Sequence, residues 1–137
     1  MGLASYFEER SGIGILSTAD ANGRVDAAIY ARPHVMDDGT LAMIMRDHLT
    51  HRNLQENPYA VYLFLEQGPG YQGRRLYLKK IHEDQNPRLL RQLMRPSLTS
   101  EEDQAKGPKF MVYFVVENDR QLVGDESPQL RLKSHPV

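Results

Sequence analysis

The stretch Met45-Arg46-Asp47-His48-Leu49-Thr50-His51-Arg52-Asn53-Leu54-Gln55-Glu56-Asn57-Pro58-Tyr59-Ala60-Val61-Tyr62-Leu63 carries the end of one strand, a short helix and the start of another strand. Thr50 is placed to cap a helix over His51 to Glu56 by accepting a hydrogen bond from a first-turn amide. Asn57-Pro58 stops that helix, because proline cannot continue the backbone ladder. Before it, Thr40 to Met45 is a β-rich run that ends in the polar group Arg46-Asp47-His48. After it, Tyr59 to Glu66 is apolar on both faces until its end, as expected of a central strand crossing a closed barrel.

Upstream, Leu3 to Glu9 reads as a helical turn or two and Gly12 to Ala19 as a first strand. Asp20-Ala21-Asn22-Gly23 supplies residues that tolerate the left-handed geometry of a tight reversal. Val25 to Met36 alternates Val25, Ala27, Ile29 and Ala31 against Asp26, Ala28, Tyr30 and Arg32, the period of a half-buried strand. A turn at Asp37-Asp38-Gly39 leads into the Thr40 run, so a three-stranded meander is expected.

Downstream, the glycine-rich Gln67 to Gly73 joins the central strand to Arg74–Asp84, a long hairpin with a mobile tip. Asn86-Pro87 opens a helix with the stripe Leu89, Leu90, Leu93 and Met94, which Pro96 stops. Thr99-Ser100-Glu101-Glu102 resembles a capping box. Lys109 to Glu117 is apolar on both faces and closes the barrel. The pattern predicts a mainly β (α+β) fold: six antiparallel strands in a barrel of Greek-key type, with two or three short helices. One domain is expected over residues 1–126, followed by a tail, 127–137, that is loose or laid along a neighbour.

Composition narrows the chemistry. With 137 residues and 40% hydrophobic content the chain can bury a core of its own. Its 17 Lys and Arg nearly cancel 18 Asp and Glu, so no global field favours nucleic acid or an anionic membrane. The absence of cysteine excludes disulfides, thiolate catalysis and cysteine-based metal sites, so redox chemistry would need a borrowed cofactor. No segment approaches the roughly 20 apolar residues of a membrane span, and the expected compartment is the cytoplasm.

The chemistry-bearing residues concentrate at the helix start. Its first amides, with Arg46, Thr50, His51 and Arg52 as side-chain donors, outline an anion site. The same residues read equally well as a solvated helix start with ordinary surface charges. His48 and His51 have no third metal ligand at a recognisable spacing, and no serine sits in a Gly-x-Ser-x-Gly elbow. His34 and His82 are expected on the strand surface. Arg74-Arg75 and Lys79-Lys80, with Tyr71 and Tyr77 between and beside them, have the ingredients of a single-stranded nucleic-acid surface. Alternation divides these charges between two faces, so a polar outer face or a dimer rim is the stronger reading. Gly68, Gly70 and Gly73 join strand to strand and open no helix, which is not the setting of a dinucleotide fingerprint.

The order of strands and the pattern Thr-x-x-Asn-Leu-x-x-Asn-Pro from Thr50 to Pro58, followed by Tyr59-Ala60-Val61-Tyr62-Leu63, resemble the FMN-binding split β-barrels related to pyridoxamine 5'-phosphate oxidase. The resemblance covers about Gly12 to Asp84. It implies an FMN phosphate at the start of the short helix, the ring along the middle strands, and a homodimer whose second subunit completes the site. Ala28, Ile29, Tyr30 and Ala31 would line the flavin from one strand and Met45, Arg46 and Asp47 from the next. Leu49 by its amide, Thr50 and Asn53 would lie at the phosphate end. The lysine that family members often carry at or near Thr50 is missing, so phosphate binding leans on Arg46, His51 or Arg52.

A guanidinium near the pyrimidine edge would stabilise reduced flavin, and Arg46 and Arg32 are the candidates. The resemblance therefore implies an oxidoreductase or flavin reductase acting on a small-molecule electron donor or substrate. Pyridoxamine 5'-phosphate oxidase activity itself is less expected, because the chain is short for it. The rival readings are a non-catalytic β-barrel module binding nucleic acid or a protein partner through Arg74 to Lys80, and a split barrel that holds haem or a deazaflavin.

Overall fold

A computed structural model describes residues 2–93 and 106–124. In chain order its elements are α1 (Leu3–Glu9), β1 (Gly12–Ala19), β2 (Val25–Ile29), β3 (His34–Val35), β4 (Leu41–Arg46), α2 (Leu49–Glu56), β5 (Tyr59–Glu66), β6 (Gly73–Asp84), α3 (Pro87–Leu93) and β7 (Lys109–Gln121). They form one seven-stranded sheet in the order β2-β1-β5-β6-β7-β4-β3, and every neighbouring pair is antiparallel. α2 packs on β1, β2 and β4, strands from the two ends of that order, and so bridges the gap where the curled sheet fails to close.

The strand count is seven, not six, because the run from Val25 to Met36 is two strands. β2 pairs only with β1, and β3 only with β4, so the expected meander does not form. The break falls at Tyr30 to Pro33. Tyr30 donates a last backbone bond to the Gly14 carbonyl at 3.0 Å. Pro33 has no N–H to give and holds Arg32 away from helical geometry, so the chain leaves one end of the sheet and rejoins it at the other.

The helix boundary also differs from expectation. α2 begins at Leu49, with His48 at the N-cap and no side-chain cap; Thr50 lies inside the first turn. α3 is capped by Asn86, whose side-chain oxygen accepts from the amides of Arg88 and Leu89 at 3.1 Å each. Met94, Pro96, the expected capping box at 99–102 and the expected tail at 127–137 lie outside the described residues. Among the described residues no helix is long and apolar enough to cross a membrane.

Alternation along the strands makes two apolar layers. Inside the barrel, Leu16, Leu41, Tyr62, Phe64, Leu76, Leu78, Val112 and Phe114 are fully buried, with Tyr6 and Phe7 of α1 plugging one end. On the other face of β4 and β7, Ala42 and Met111 are buried beneath Leu90 of α3. Both faces of β7 are thus covered, as its sequence requires.

A third apolar surface is not covered. The register aligns Ile29, Ile15, Leu63, Arg75 and Arg120 across five strands on the outer face. Ile29 is 78% exposed and Val25 82%, and Ile13 lies open beside them. The apolar side of β2 is therefore the one turned outward.

Candidate functional site

The two ends of the sheet meet at the start of α2. Thr50 is buried and shares a hydrogen bond with the phenol of Tyr30. Tyr30 is also fixed through its main chain, since its carbonyl accepts from the Tyr62 hydroxyl at 3.2 Å and its amide donates to Gly14. Burial pushes the Tyr30 phenol above its ordinary range; the Thr50 bond works the other way, and Asp26 adds to the rise. Gly14 makes this junction possible. A β-carbon there would fall 1.8 Å from the Tyr62 hydroxyl and 2.6 Å from the Tyr30 carbonyl.

The first turn of α2 presents main-chain donors. The amide of His48 bonds Arg46 and that of Arg52 bonds His48, and no side chain caps the turn between them. Leu49 is exposed at this opening. A helix start with uncapped amides and the positive end of its dipole is where an anion is stabilised.

The side chains proposed to assist divide into two groups. His51 is buried, with Nδ1 2.8 Å from Asp47 Oδ1 and Nε2 3.0 Å from Glu83 Oε2. Its ring stacks on Phe110 at 4.0 Å. Both nitrogens are engaged by carboxylates, so His51 fastens α2 to β6 and β7 and has no ring donor left for a phosphate. Asn53 is likewise buried and donates to the Thr18 hydroxyl at 3.1 Å, tying α2 to β1. These two residues position the helix. Burial alone would raise the Glu83 carboxyl, yet hydrogen bonds from Lys80, Gln55 and His51 bring it down to about 2.

Arg52 is the exposed cation of the first turns and reaches the Asp47 carbonyl only at 3.5 Å. Arg46 donates to the Gly107 carbonyl at 2.9 Å. Met45 is buried in the barrel, so its contribution to a ligand is its main chain. Ala28 is half-buried, and Ile29 and Ala31 are exposed, along the edge of β2. Small residues there let a flat ring approach the backbone.

Arg32 is tied to α1. One guanidinium nitrogen donates to the carbonyls of Phe7 and Arg10 at 2.6 Å each, at the C-terminal end of α1. Beside it opens a cleft of about 810 Å³ lined by α1, the segment Tyr30 to Asp37, β4 and Leu93. It borders the α2 site through Tyr30 and Ala31 and does not include the helix start. Four separate elements build it, and the one local signal was the break at Pro33.

The other sequence candidates are consumed by partners. Arg74 pairs with Asp119 and Lys80 with Glu83, both at 2.5 Å, and Arg75 donates to the Gln121 carbonyl at 2.8 Å. Lys79 lies over the Tyr59 ring at 5.8 Å. A surface so engaged offers few charges to a phosphate chain. His82 is exposed and stacks on Tyr113, while His34 is half-buried and lines the cleft. Among the described residues no three His, Cys, Asp or Glu side chains form a metal site.

No family model matches the sequence, and no curated protein does. Solved structures match the fold. An FMN-binding protein from Syntrophomonas wolfei subsp. wolfei superposes with a TM-score of 0.68 at 18% identity, over 90% of this chain and 86% of that one. HupZ of Group A Streptococcus gives 0.66 at 15% identity, over 91% and 94%. A candidate pyridoxamine 5'-phosphate oxidase from Listeria innocua gives 0.57 at 14% identity, over 86% and 93%. At such identities the likeness establishes the split-barrel fold.

Proposed function

We propose that this split β-barrel is an FMN-binding flavoprotein of oxidoreductase type, active as a homodimer with the flavin at the subunit seam. The observation that carries the reading is the uncapped first turn of α2, opening beside Tyr30 at the free edge of β2. A phosphate requires directed donors, and the amides of Leu49 and its neighbours supply them with Arg52 and Arg46 as nearby cations. The small Ala28 and Ala31 leave room for a flat ring along the edge. Ile29 and the main chain of Met45 to Asp47 form the remaining walls. His51 and Asn53 hold the helix in place.

Bound FMN would supply hydride or electron transfer that no side chain of this chain can perform. The protein's share is to bind the phosphate, orient the ring and exclude water from one side. The open apolar face of Ile13, Ile15, Val25, Ile29, Leu63 and their neighbours supports the dimer, because a twin laid on it removes that surface from water. The carboxylate partners of Arg74 and Lys80 on β6 speak against a nucleic-acid module. An F420 reductase is also among the matching folds, with a TM-score of 0.60 at 18% identity, so a deazaflavin is the alternative cofactor.

The test is an absorbance spectrum of the protein as isolated, followed by titration with FMN, riboflavin and F420. Tight binding of FMN and weak binding of riboflavin is the expected result. A colourless protein that fails to bind FMN overturns the proposal, and preference for F420 reassigns the cofactor. Reduction of the bound flavin by NAD(P)H, without turnover of pyridoxamine 5'-phosphate, is the expected activity.

A further inference from the structure

The cleft beside α1 has an anchor that the fold uses on one side only and the proposed flavin site does not use. Arg32 is held by two carbonyl bonds, both made by Nη1. The Nε and Nη2 edge of the same guanidinium has no hydrogen-bond partner among the described residues. Arg32 lines the cleft, where it is set among the apolar side chains of Phe7, Met36, Met43 and Ile44. A guanidinium immobilised on one side presents a planar donor fork on the other at little entropic cost, and that fork matches a carboxylate. Apolar walls with a few polar groups, here Arg32 with His34, Glu8 and Asp37, are the usual make-up of a small-molecule pocket, and a volume of about 810 Å³ is in the range of such pockets.

We infer that this cleft binds an aromatic carboxylate, with its ring against Phe7, Met43 and Ile44 and its carboxylate on Arg32. Glu8 and Asp37 stand at the exposed rim, where their charge opposes an incoming anion weakly and a cation would be drawn no deeper than the mouth. Arg32 is half-buried whereas Glu8 and Asp37 are exposed, so the less screened charge of the cleft is positive and favours an anion. Because Tyr30 and Ala31 border both sites, the ligand's ring would lie next to the flavin; that placement alone rests on the flavin proposal.

The experiment measures binding of 2-naphthoate, neutral 2-naphthalenemethanol and cationic 2-naphthylmethylamine to the full, FMN-free protein by calorimetry. Naphthoate is expected to bind at least about tenfold tighter than the alcohol, the worth of one charge-assisted pair. Arg32→Gln should abolish that preference, and Glu8→Gln should tighten naphthoate about twofold. Arg32→Gln also loosens α1, so Ile44→Trp, which fills the cleft and leaves Arg32 in place, is the independent variant and should block all three probes. Equal affinity for the three probes, or naphthoate binding unchanged by Ile44→Trp, overturns the inference. FMN titration of the same preparations reports on the flavin site separately, so loss of one binding activity without the other identifies which proposal failed.

Discussion

Glu83→Gln is the perturbation that most directly tests how the helix start is held. Glu83 receives Lys80, Gln55 and His51, and these bonds keep its carboxyl at about 2 against an ordinary value of 4.5. Such a depression corresponds to at most roughly 3 kcal/mol of preference for the ionised form in the folded protein. The side chain is 22% exposed, so solvent screening reduces the usable part to about 1–2 kcal/mol. A group whose folded pKa is depressed gives stability that is complete above its unfolded value and is lost as pH falls through the folded one. The contribution is therefore present in full above about pH 5 and fades towards pH 2. Glutamine keeps the shape and one acceptor but not the charge. Urea unfolding of the wild type and Glu83→Gln should differ by about 1–2 kcal/mol at pH 7 and converge only towards pH 2. The variant should also bind FMN more weakly at pH 7, because His51 loses one of its two carboxylates and α2 its tie to β6. A deficit of the same size at both pH values, or none at pH 7, refutes the assignment of Glu83 as the charged clasp of α2.

Leu49→Asp places a carboxylate in the exposed first turn, where the helix dipole favours it by about 0.3–1 kcal/mol while an incoming phosphate is repelled. Thermal stability should hold or rise slightly as FMN affinity falls at least about tenfold and riboflavin affinity stays level. Gly14→Ala drives a methyl into the Tyr62 hydroxyl and should cost about 1–3 kcal/mol, seen as a lower Tm. Asn53→Ala leaves the buried Thr18 hydroxyl without its donor and should cost about 1–2 kcal/mol in chemical unfolding. Ile29→Asp should convert a dimer to monomers in analytical ultracentrifugation with the far-ultraviolet spectrum unchanged, since the side chain is open in the single subunit.

Local patterns were enough for much of the fold. Short β-rich runs bounded by turn residues marked β1, β4, β5, β6 and β7, the Asx and glycine turns marked their reversals, and Asn-Pro pairs marked the end of α2 and the start of α3, because backbone geometry at each of these points is dictated by a residue's immediate neighbours. The stretch from Val25 to Met36 exposed the limit of such reading. Its alternation is regular, and a single proline decides whether it is one strand or two only once the rest of the sheet fixes where the chain can go. The same limit applies to the side chains. A histidine beside a helix start has the right chemistry for phosphate, and an arginine at the end of a neighbouring strand that for a reduced flavin, but His51 is clasped by Asp47 and Glu83, and Arg32 bonds the end of α1. Sequence by itself determined the elements, the apolar faces and the residue types available for chemistry. Tertiary structure alone decided which cations were already spent, which apolar face stayed open, and that four distant segments enclose the cleft, because those outcomes depend on contacts between residues far apart in the chain, which no local pattern encodes.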